Sequence, residues 1–187
     1  DVLGSRGLGD VYKRQVLLLS LSACSLSNTP TGKVEAYLNQ YNSLTDNVKV
    51  DMESKVTSEN LSSDNADIYR NVLTRQYQDM KYEVKDEKID GENATVTVKV
   101  TVYDLYKIDR DAYNYLNDHQ DEFTTDGIYD NDKYNKYKLD NMLKTNEKIS
   151  YEVEFKLNKK DGDWVLENPD RVVSVSYTHL TLPTILR

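Results

Sequence analysis

A run of alternating apolar and polar residues between positions 82 and 102 constrains the fold more than any other feature of this chain. Apolar side chains recur at every second position, at Ala94, Val96, Val98, Val100 and Val102. Because side chains alternate between the two faces of a β-strand, this spacing predicts a strand with one buried and one solvated face. Residues 82–89 alternate in the same way up to Asp90-Gly91, where glycine adopts positive φ at little steric cost. The sequence therefore predicts a long antiparallel hairpin.

The same pattern returns near the end of the chain and predicts a second hairpin. Its alternating apolar residues are Ile149, Tyr151, Val153, Phe155 and Leu157. A turn at Lys160-Asp161-Gly162-Asp163 follows, and a short strand runs through Trp164 and Leu166. Neither hairpin has Pro or Gly inside its strands, which favours strands that pair along their full length.

Apolar residues at helical spacing predict three helices before the first hairpin. The three stripes are Val34, Tyr37, Leu38, Tyr41 and Leu44; then Val48, Met52 and Val56; then Ile68, Tyr69, Val72, Leu73, Gln76, Tyr77 and Met80. A break is expected near residues 45–47, and Asp64 or Asn65 is the predicted cap of the third helix.

A polar, tyrosine-rich insertion at residues 107–146 separates the two hairpins. One predicted helix carries Tyr113, Leu116, Gln120 and Phe123, and another carries Tyr134, Leu139, Met142 and Leu143. Residues 124–132 are interpreted as the loop between them.

This order of elements predicts the α+β class, with helices packed on one face of a curved antiparallel sheet in a single domain at residues 33–173. Together with the closing segment at residues 160–167, Lys-Asp-Gly-Asp-Trp-Val-Leu-Glu, it resembles the nuclear-transport-factor-two-like, or cystatin-like, α+β cone. In particular it is similar to small lipoproteins of Gram-positive bacteria that carry such a domain. The resemblance implies a fold and no particular activity.

The two ends resemble a translated sequencing adapter. Residues 10–15 back-translate to a DNA stretch whose opposite strand encodes residues 175–180. Residues 1–15 and 174–187 are therefore interpreted as adapter-derived and not native.

The sole cysteine of the chain, Cys24, ends the segment Leu21-Ser22-Ala23-Cys24, which follows the apolar residues 16–20. This run is shorter than the roughly 20 residues that a membrane-spanning helix needs and is typical of a truncated signal peptide at residues 16–24. The segment resembles the lipobox of bacterial lipoproteins. The resemblance implies lipidation of Cys24 by diacylglyceryl transfer, as in palmitoylated lipoproteins, and a domain on the extracytoplasmic face of the cell membrane.

Residues 25–32 are the predicted flexible tether. The alternative is that Cys24 is a buried cysteine in an N-terminal helix.

Charge and cysteine content exclude several classes of function. The chain has 32 acidic and 24 basic residues and a net charge of −8. An acidic surface repels phosphate backbones, so a nucleic-acid partner is not expected. No cysteine follows Cys24, so the sequence predicts neither disulfides nor thiolate metal sites.

The sequence contains no recognisable catalytic motif, so we expect no enzyme, no cofactor and no metal. His119 is interpreted as a solvated residue on a polar helix. The acidic residues 126–132 do not match the calcium-binding loop template. An isomerase-like cone needs a carboxylate opposite tyrosine donors, and Asp104 between Tyr103 and Tyr106 is the only local group of this kind.

Tyrosines concentrate around the insertion and define a candidate ligand surface at Tyr103, Asp104, Tyr106, Tyr113 and Tyr134. Tyrosine combines apolar area with a polar tip and is frequent in recognition surfaces, although tyrosines at helical spacing also pack against a sheet. The leading hypothesis is a lipid-anchored domain that engages an envelope protein, glycan or small ligand. The alternatives are a cone-type lyase or isomerase that uses Asp104 and its neighbouring tyrosines, and a structural envelope spacer.

Overall fold

The computed structural model describes residues 28–167, in which five α-helices accompany a four-stranded antiparallel sheet and a small second hairpin. The elements are α1 (Pro30–Asn42), α2 (Asp46–Ser58), α3 (Ser63–Gln78), β1 (Lys81–Asp90), β2 (Asn93–Tyr103), α4 (Leu105–Asp118), β3 (Thr124–Thr125), β4 (Ile128–Tyr129), α5 (Asn131–Lys144), β5 (Lys148–Lys160) and β6 (Asp163–Leu166). The predicted α+β class is confirmed. The predictions for residues 1–15, 16–24 and 174–187 lie outside the described residues. Membership of the nuclear-transport-factor-two-like family stays a prediction.

The main sheet has the strand order β1-β2-β5-β6, and every neighbouring pair is antiparallel. Both predicted hairpins form. Gly91 turns the first with φ +60°, while Asp161 and Gly162 turn the second with φ +52° and +89°. These positive φ values match the right-handed twist of the strands that the turns join.

The core lies between the apolar face of the sheet and α1. Val96 pairs with Phe155 and Val98 with Val153, so the alternating residues of β2 and β5 share one buried face. Val34 and Leu38, one turn apart on α1, pack onto that face. Complete burial of such a side chain stabilises the fold by about 1.5–3 kcal/mol, so the valine alternation of β2 places α1 on this side of the sheet.

Helix α1 begins earlier than the sequence indicates, because its first turn is capped twice. The hydroxyl of Thr29 accepts a hydrogen bond from the amide of Gly32 at 3.0 Å, and Pro30 occupies the first turn. The amide and hydroxyl of Thr31 both donate to Glu87 Oε2, at 2.8 and 2.6 Å. Residues 30–32, predicted to end the flexible tether, are therefore helical and attached to β1.

Helices α2 and α3 pack on each other beside α1. Val48, Met52 and Val56 form the predicted stripe of α2 and contact Leu73 and Tyr77 of α3. The predicted cap of α3 was wrong, since the helix begins at Ser63 with Ser62 in the cap position. Asn65 is instead buried inside the first turn, where its side-chain amide donates to the carbonyl of Asp132 at 3.0 Å.

The insertion forms two antiparallel helices at the end of the sheet. The helix predicted to reach Phe123 ends at Asp118, and a single 3₁₀ turn over Gln120–Phe123 follows. The predicted loop at residues 124–132 contains the β3–β4 hairpin, whose turn residues Asp126 and Gly127 have φ +52° and +78°. Across residues 28–167, none of the helices has the length and apolar character needed to cross a bilayer.

Candidate functional site

The structure divides the predicted ligand surface into two groups. Tyr103, at the end of β2, is only 7% exposed, so its assignment to a surface was wrong. Its hydroxyl donates to Asp79 Oδ2 at 2.6 Å, and its ring centroid lies 4.0 Å from the Arg75 guanidinium carbon and 4.6 Å from Lys148 Nζ. The hydrogen bond to the Asp79 carboxylate, and then burial, raise the pKa of Tyr103. The residue ties α3 to the sheet.

Asp104 is engaged as the cap of α4. Its carboxylate accepts a hydrogen bond from the amide of Lys107 at 3.0 Å, and its own amide donates to the carbonyl of Glu147. A carboxylate at this position satisfies a free amide of the first turn and faces the positive end of the helix dipole. Tyr106 lies two positions further, exposed on α4. The lyase or isomerase hypothesis stays a prediction, and its central carboxylate serves as a helix cap in this structure.

Tyr113 and Tyr134, the other two predicted residues, lie close together across α4 and α5. Tyr113 is 43% exposed, and Tyr129 on β4 is 51% exposed. Burial raises the pKa of the half-buried Tyr134 hydroxyl, and the negative charge of Asp109 and the neighbouring Tyr129 and Tyr113 hydroxyls raise it further. Asp109 and Tyr113 of α4, Tyr129 of β4 and Tyr134 of α5 therefore lie close to one another.

Beneath these tyrosines, Asp109 of α4 faces Lys138 of α5. Asp109 Oδ1 and Lys138 Nζ are 3.9 Å apart, and their side chains are only 16% and 9% exposed. Nζ also lies 5.7 Å from the ring centroid of Tyr134. Burial raises the pKa of Asp109 more than the Lys138 charge lowers it. Burial likewise lowers the pKa of Lys138 against the opposite effect of Asp109.

We call the group Asp109, Tyr113, Tyr129, Tyr134 and Lys138 the α4–α5 site. Its helical members occur as two pairs at a spacing of four, Asp109 with Tyr113 and Tyr134 with Lys138, so each pair lies on one face of its helix. Asp109 and Lys138 were not among the predicted site residues. The spacing of charged and tyrosine residues was the available signal, but only the packing of α4 against α5 brings the two faces together. Perturbed pKa values around a mostly buried charge pair are typical of functional sites.

An aromatic cluster holds this end of the two helices in place. The ring of Tyr115 stacks on His119 at 3.9 Å and on Tyr137 at 4.8 Å between centroids. The buried ring of Phe123 makes edge contacts with Tyr115, Tyr134 and Tyr137. His119, predicted to be solvated, is therefore half-buried in a ring stack, because the chain reverses after α4 and folds its end back on itself.

Within the acidic segment 126–132, Asp130 stabilises the local backbone through hydrogen bonds. Asp130 Oδ1 accepts hydrogen bonds from the amides of Asp132 and Lys133, and its other oxygen accepts from the Thr125 hydroxyl at 2.6 Å. The Thr125 hydrogen bond is the largest cause of the lowered pKa of Asp130. In the part of the chain that the structure describes, no three His, Cys, Asp or Glu side chains are grouped so that they could hold a metal ion.

Comparison with protein-family models gives no match, and comparison with curated proteins gives no significant match. Among solved structures, the chain is similar to the crystal structure of a putative lipoprotein from Bacillus subtilis, with 18% sequence identity and a TM-score of 0.37. The similarity covers 79% of this chain and 46% of that one, so the chain spans less than half the length of this neighbour.

Proposed function

We propose that this protein is a non-enzymatic, lipid-anchored domain on the extracytoplasmic face of the membrane that binds an envelope component through the α4–α5 site. The observation that carries the binding role is the exposure of Tyr113 and Tyr129 above the Asp109–Lys138 pair. The anchor rests on the sequence, since Cys24 lies outside the described residues.

The anchor is supported by the lipobox-like segment Leu21-Ser22-Ala23-Cys24 at the end of a short apolar run. Each buried methylene of an acyl chain contributes about 0.8 kcal/mol, and two chains are needed for stable anchoring. A diacylglyceryl group on the Cys24 sulfur would supply them. Five residues, 25–29, separate Cys24 from Pro30, where α1 begins.

The binding role is supported by the way the chain uses its tyrosines. Tyr115, Tyr134 and Tyr137 have ring contacts within the aromatic cluster. Tyr113 and Tyr129 have no aromatic ring contact among residues 28–167, and the neighbouring Ile128 is 73% exposed. Tyrosines that are held by a rigid scaffold but not used in its packing are suited to recognition, because they lose little conformational freedom on binding.

Metabolic labelling with a fatty-acid analogue tests the anchor. The protein expressed in a bacterium with lipoprotein-processing enzymes should incorporate the label, and Cys24→Ala should abolish incorporation. Ser25→Ala, the adjacent substitution that keeps the thiol, should leave labelling intact. Label retained by the Cys24→Ala variant would contradict the proposed anchor.

Co-sedimentation with isolated bacterial envelope material tests the binding role. The full chain carrying Cys24→Ala should sediment with the envelope, and adding Tyr113→Ala and Tyr129→Ala should release it. Tyr106→Ala is the matched control, because Tyr106 is a similarly exposed tyrosine on α4 outside the site. Equal sedimentation of the site variant and the control would show that the α4–α5 site is not the binding surface.

A further inference from the structure

We infer that the ligand of the α4–α5 site is a neutral, polyhydroxylated molecule, that is, a glycan without charged groups. This inference deepens the proposed function and rests on it. It follows from the charge balance of the Asp109–Lys138 pair, from its hydrogen-bonding capacity and from the tyrosines that flank it.

The charges of Asp109 and Lys138 favour an uncharged ligand. Asp109 and Lys138 compensate each other at 3.9 Å in a mostly buried position. A charged ligand at this point would leave one charge unpaired and partly desolvated, which is strongly unfavourable. Glu59 would also repel an anionic ligand, since its negative charge already raises the pKa of both Asp109 and Lys138. A ligand without net charge preserves the balance.

The same two side chains can make further hydrogen bonds. A separation of 3.9 Å is longer than a hydrogen bond, and within residues 28–167 no hydrogen bond reaches either the Asp109 carboxylate or the Lys138 ammonium. An acceptor and a donor with free capacity therefore stand side by side. Two neighbouring hydroxyl groups match them, because one hydroxyl can donate to the carboxylate while the next accepts from the ammonium. Sugars carry such hydroxyl pairs around their rings.

The tyrosines supply the apolar part of the site. Tyr113 of α4 and Tyr129 of β4 lie near Tyr134, since both contribute to its raised pKa. The faces of sugar rings present C–H groups that pack on aromatic rings, and the tyrosine hydroxyls remain available to the sugar's outer hydroxyls. One carboxylate and three tyrosines, together with a single compensated lysine, fit a neutral sugar better than a phosphate-bearing ligand.

A glycan array tests the inference directly, with the full chain carrying Cys24→Ala as the probe and saturation-transfer NMR on the oligosaccharides that bind. We expect neutral oligosaccharides to bind more tightly than uronic-acid or phosphate-bearing ones of equal length. Tyr113→Ala and Tyr129→Ala should each weaken binding by about tenfold, and Tyr106→Ala should leave it unchanged. A preference for charged oligosaccharides would overturn the inference.

A second pair of variants tests the role of the ion pair. Asp109→Asn with Lys138→Met removes both charges together, so neither partner is left buried and unpaired. This double variant should keep the fold, as judged by circular dichroism, and lose glycan binding. Binding at the wild-type affinity in a folded double variant would overturn the inference.

Envelope material treated with periodate separates this inference from the proposed function. Periodate cleaves vicinal diols, so it should abolish co-sedimentation of the wild-type chain, whereas protease treatment of the envelope should not. Co-sedimentation that survives periodate and is lost after protease would identify a protein partner, which overturns the glycan and leaves the proposed function standing. Absence of co-sedimentation with untreated envelope, together with no binding on the array, would overturn both.

Discussion

The side-chain amide of Gln76 makes two hydrogen bonds with the backbone of Tyr103. Gln76 Oε1 accepts from the Tyr103 amide at 3.0 Å, and Nε2 donates to the Tyr103 carbonyl at 3.3 Å. The pairing of β1 with β2 ends where Lys81, the first residue of β1, pairs with Thr101, so the backbone groups of Tyr103 lie beyond the start of β1. Gln76 therefore replaces the missing strand and attaches α3 to the point where the chain leaves the sheet for α4.

Gln76→Leu should lower the free energy of unfolding by about 2–4 kcal/mol, because it leaves the buried amide and carbonyl of Tyr103 without partners. Urea denaturation followed by circular dichroism measures this loss. Gln78→Leu is the matched control, since Gln78 is exposed on the same helix and its replacement should change stability by less than about 0.5 kcal/mol. Equal effects of the two substitutions would show that the double hydrogen bond contributes little.

Phe123→Ala should destabilise the insertion by about 3–5 kcal/mol, because the buried ring contacts Tyr115, Tyr134 and Tyr137 and its removal leaves a cavity. The near-ultraviolet circular dichroism of the tyrosines should weaken along with the thermal midpoint. Tyr115→Phe keeps the ring stack and removes only an exposed hydrogen bond to Glu122, so it serves as the control. An unchanged tyrosine signal in Phe123→Ala would contradict the role of the cluster.

The sheet and its helical cover could be predicted from the sequence because their signals are local. The alternation from Ala94 to Val102 and the turn residues Gly91 and Gly162 determine strands, faces and turns within short segments. The end of each helix was harder to predict. The start of α1 depends both on the local cap at Thr29 and Pro30 and on Glu87, more than fifty positions away, and no local pattern reveals the second contact.

The α4–α5 site was predicted only in part for the same physical reason. Tyr113 and Tyr134 were selected because tyrosine is frequent in recognition surfaces, but Asp109 and Lys138 each look like ordinary charged residues on polar helices. Their burial arises only when α4 packs against α5. Tyr103 was misplaced because burial at the end of β2 depends on Arg75 and Asp79 of α3 and its C-terminal cap.

Asn42→Asp should destabilise the protein although it preserves the shape of the side chain. Asn42 Nδ2 donates to the carbonyls of Tyr77 and Met80 at 3.0 and 2.8 Å, which holds the end of α1 against the end of α3. A carboxylate cannot donate and would repel these carbonyl oxygens, so we expect a loss of about 1–3 kcal/mol in urea denaturation.

Asn39→Asp provides the matched control for this substitution on the same helix. Asn39 Oδ1 accepts a hydrogen bond from the Tyr82 hydroxyl at 2.9 Å, and an aspartate oxygen keeps that role. Its stability should change little. A loss in Asn39→Asp as large as that in Asn42→Asp would mean that added negative charge, and not the lost donor, causes the effect.

Asp130 and Asp109 should give opposite dependences of stability on pH. Hydrogen bonds from Thr125 and the start of α5 lower the pKa of Asp130. Its contribution to stability is therefore present above its unfolded pKa, about 3.9, and is lost as pH falls through its lower folded pKa. Burial raises the pKa of Asp109, so the folded state takes up this proton more readily than the unfolded state. Its ionisation lowers stability as pH rises from about 3.9 through the higher folded pKa.

Urea denaturation of Asp130→Asn and Asp109→Asn between pH 3 and 6 separates the two effects, because asparagine cannot ionise. As pH falls, the stability advantage of the wild type over Asp130→Asn should shrink, since the protonated carboxyl loses its charge-assisted hydrogen bonds. Over the same range the stability difference from Asp109→Asn should move in favour of the wild type, since protonation removes the cost of a buried carboxylate. If the stability difference between wild type and variant moves in the same direction for both substitutions, the burial of Asp109 does not control its ionisation. The charge balance of the α4–α5 site would then need a different explanation.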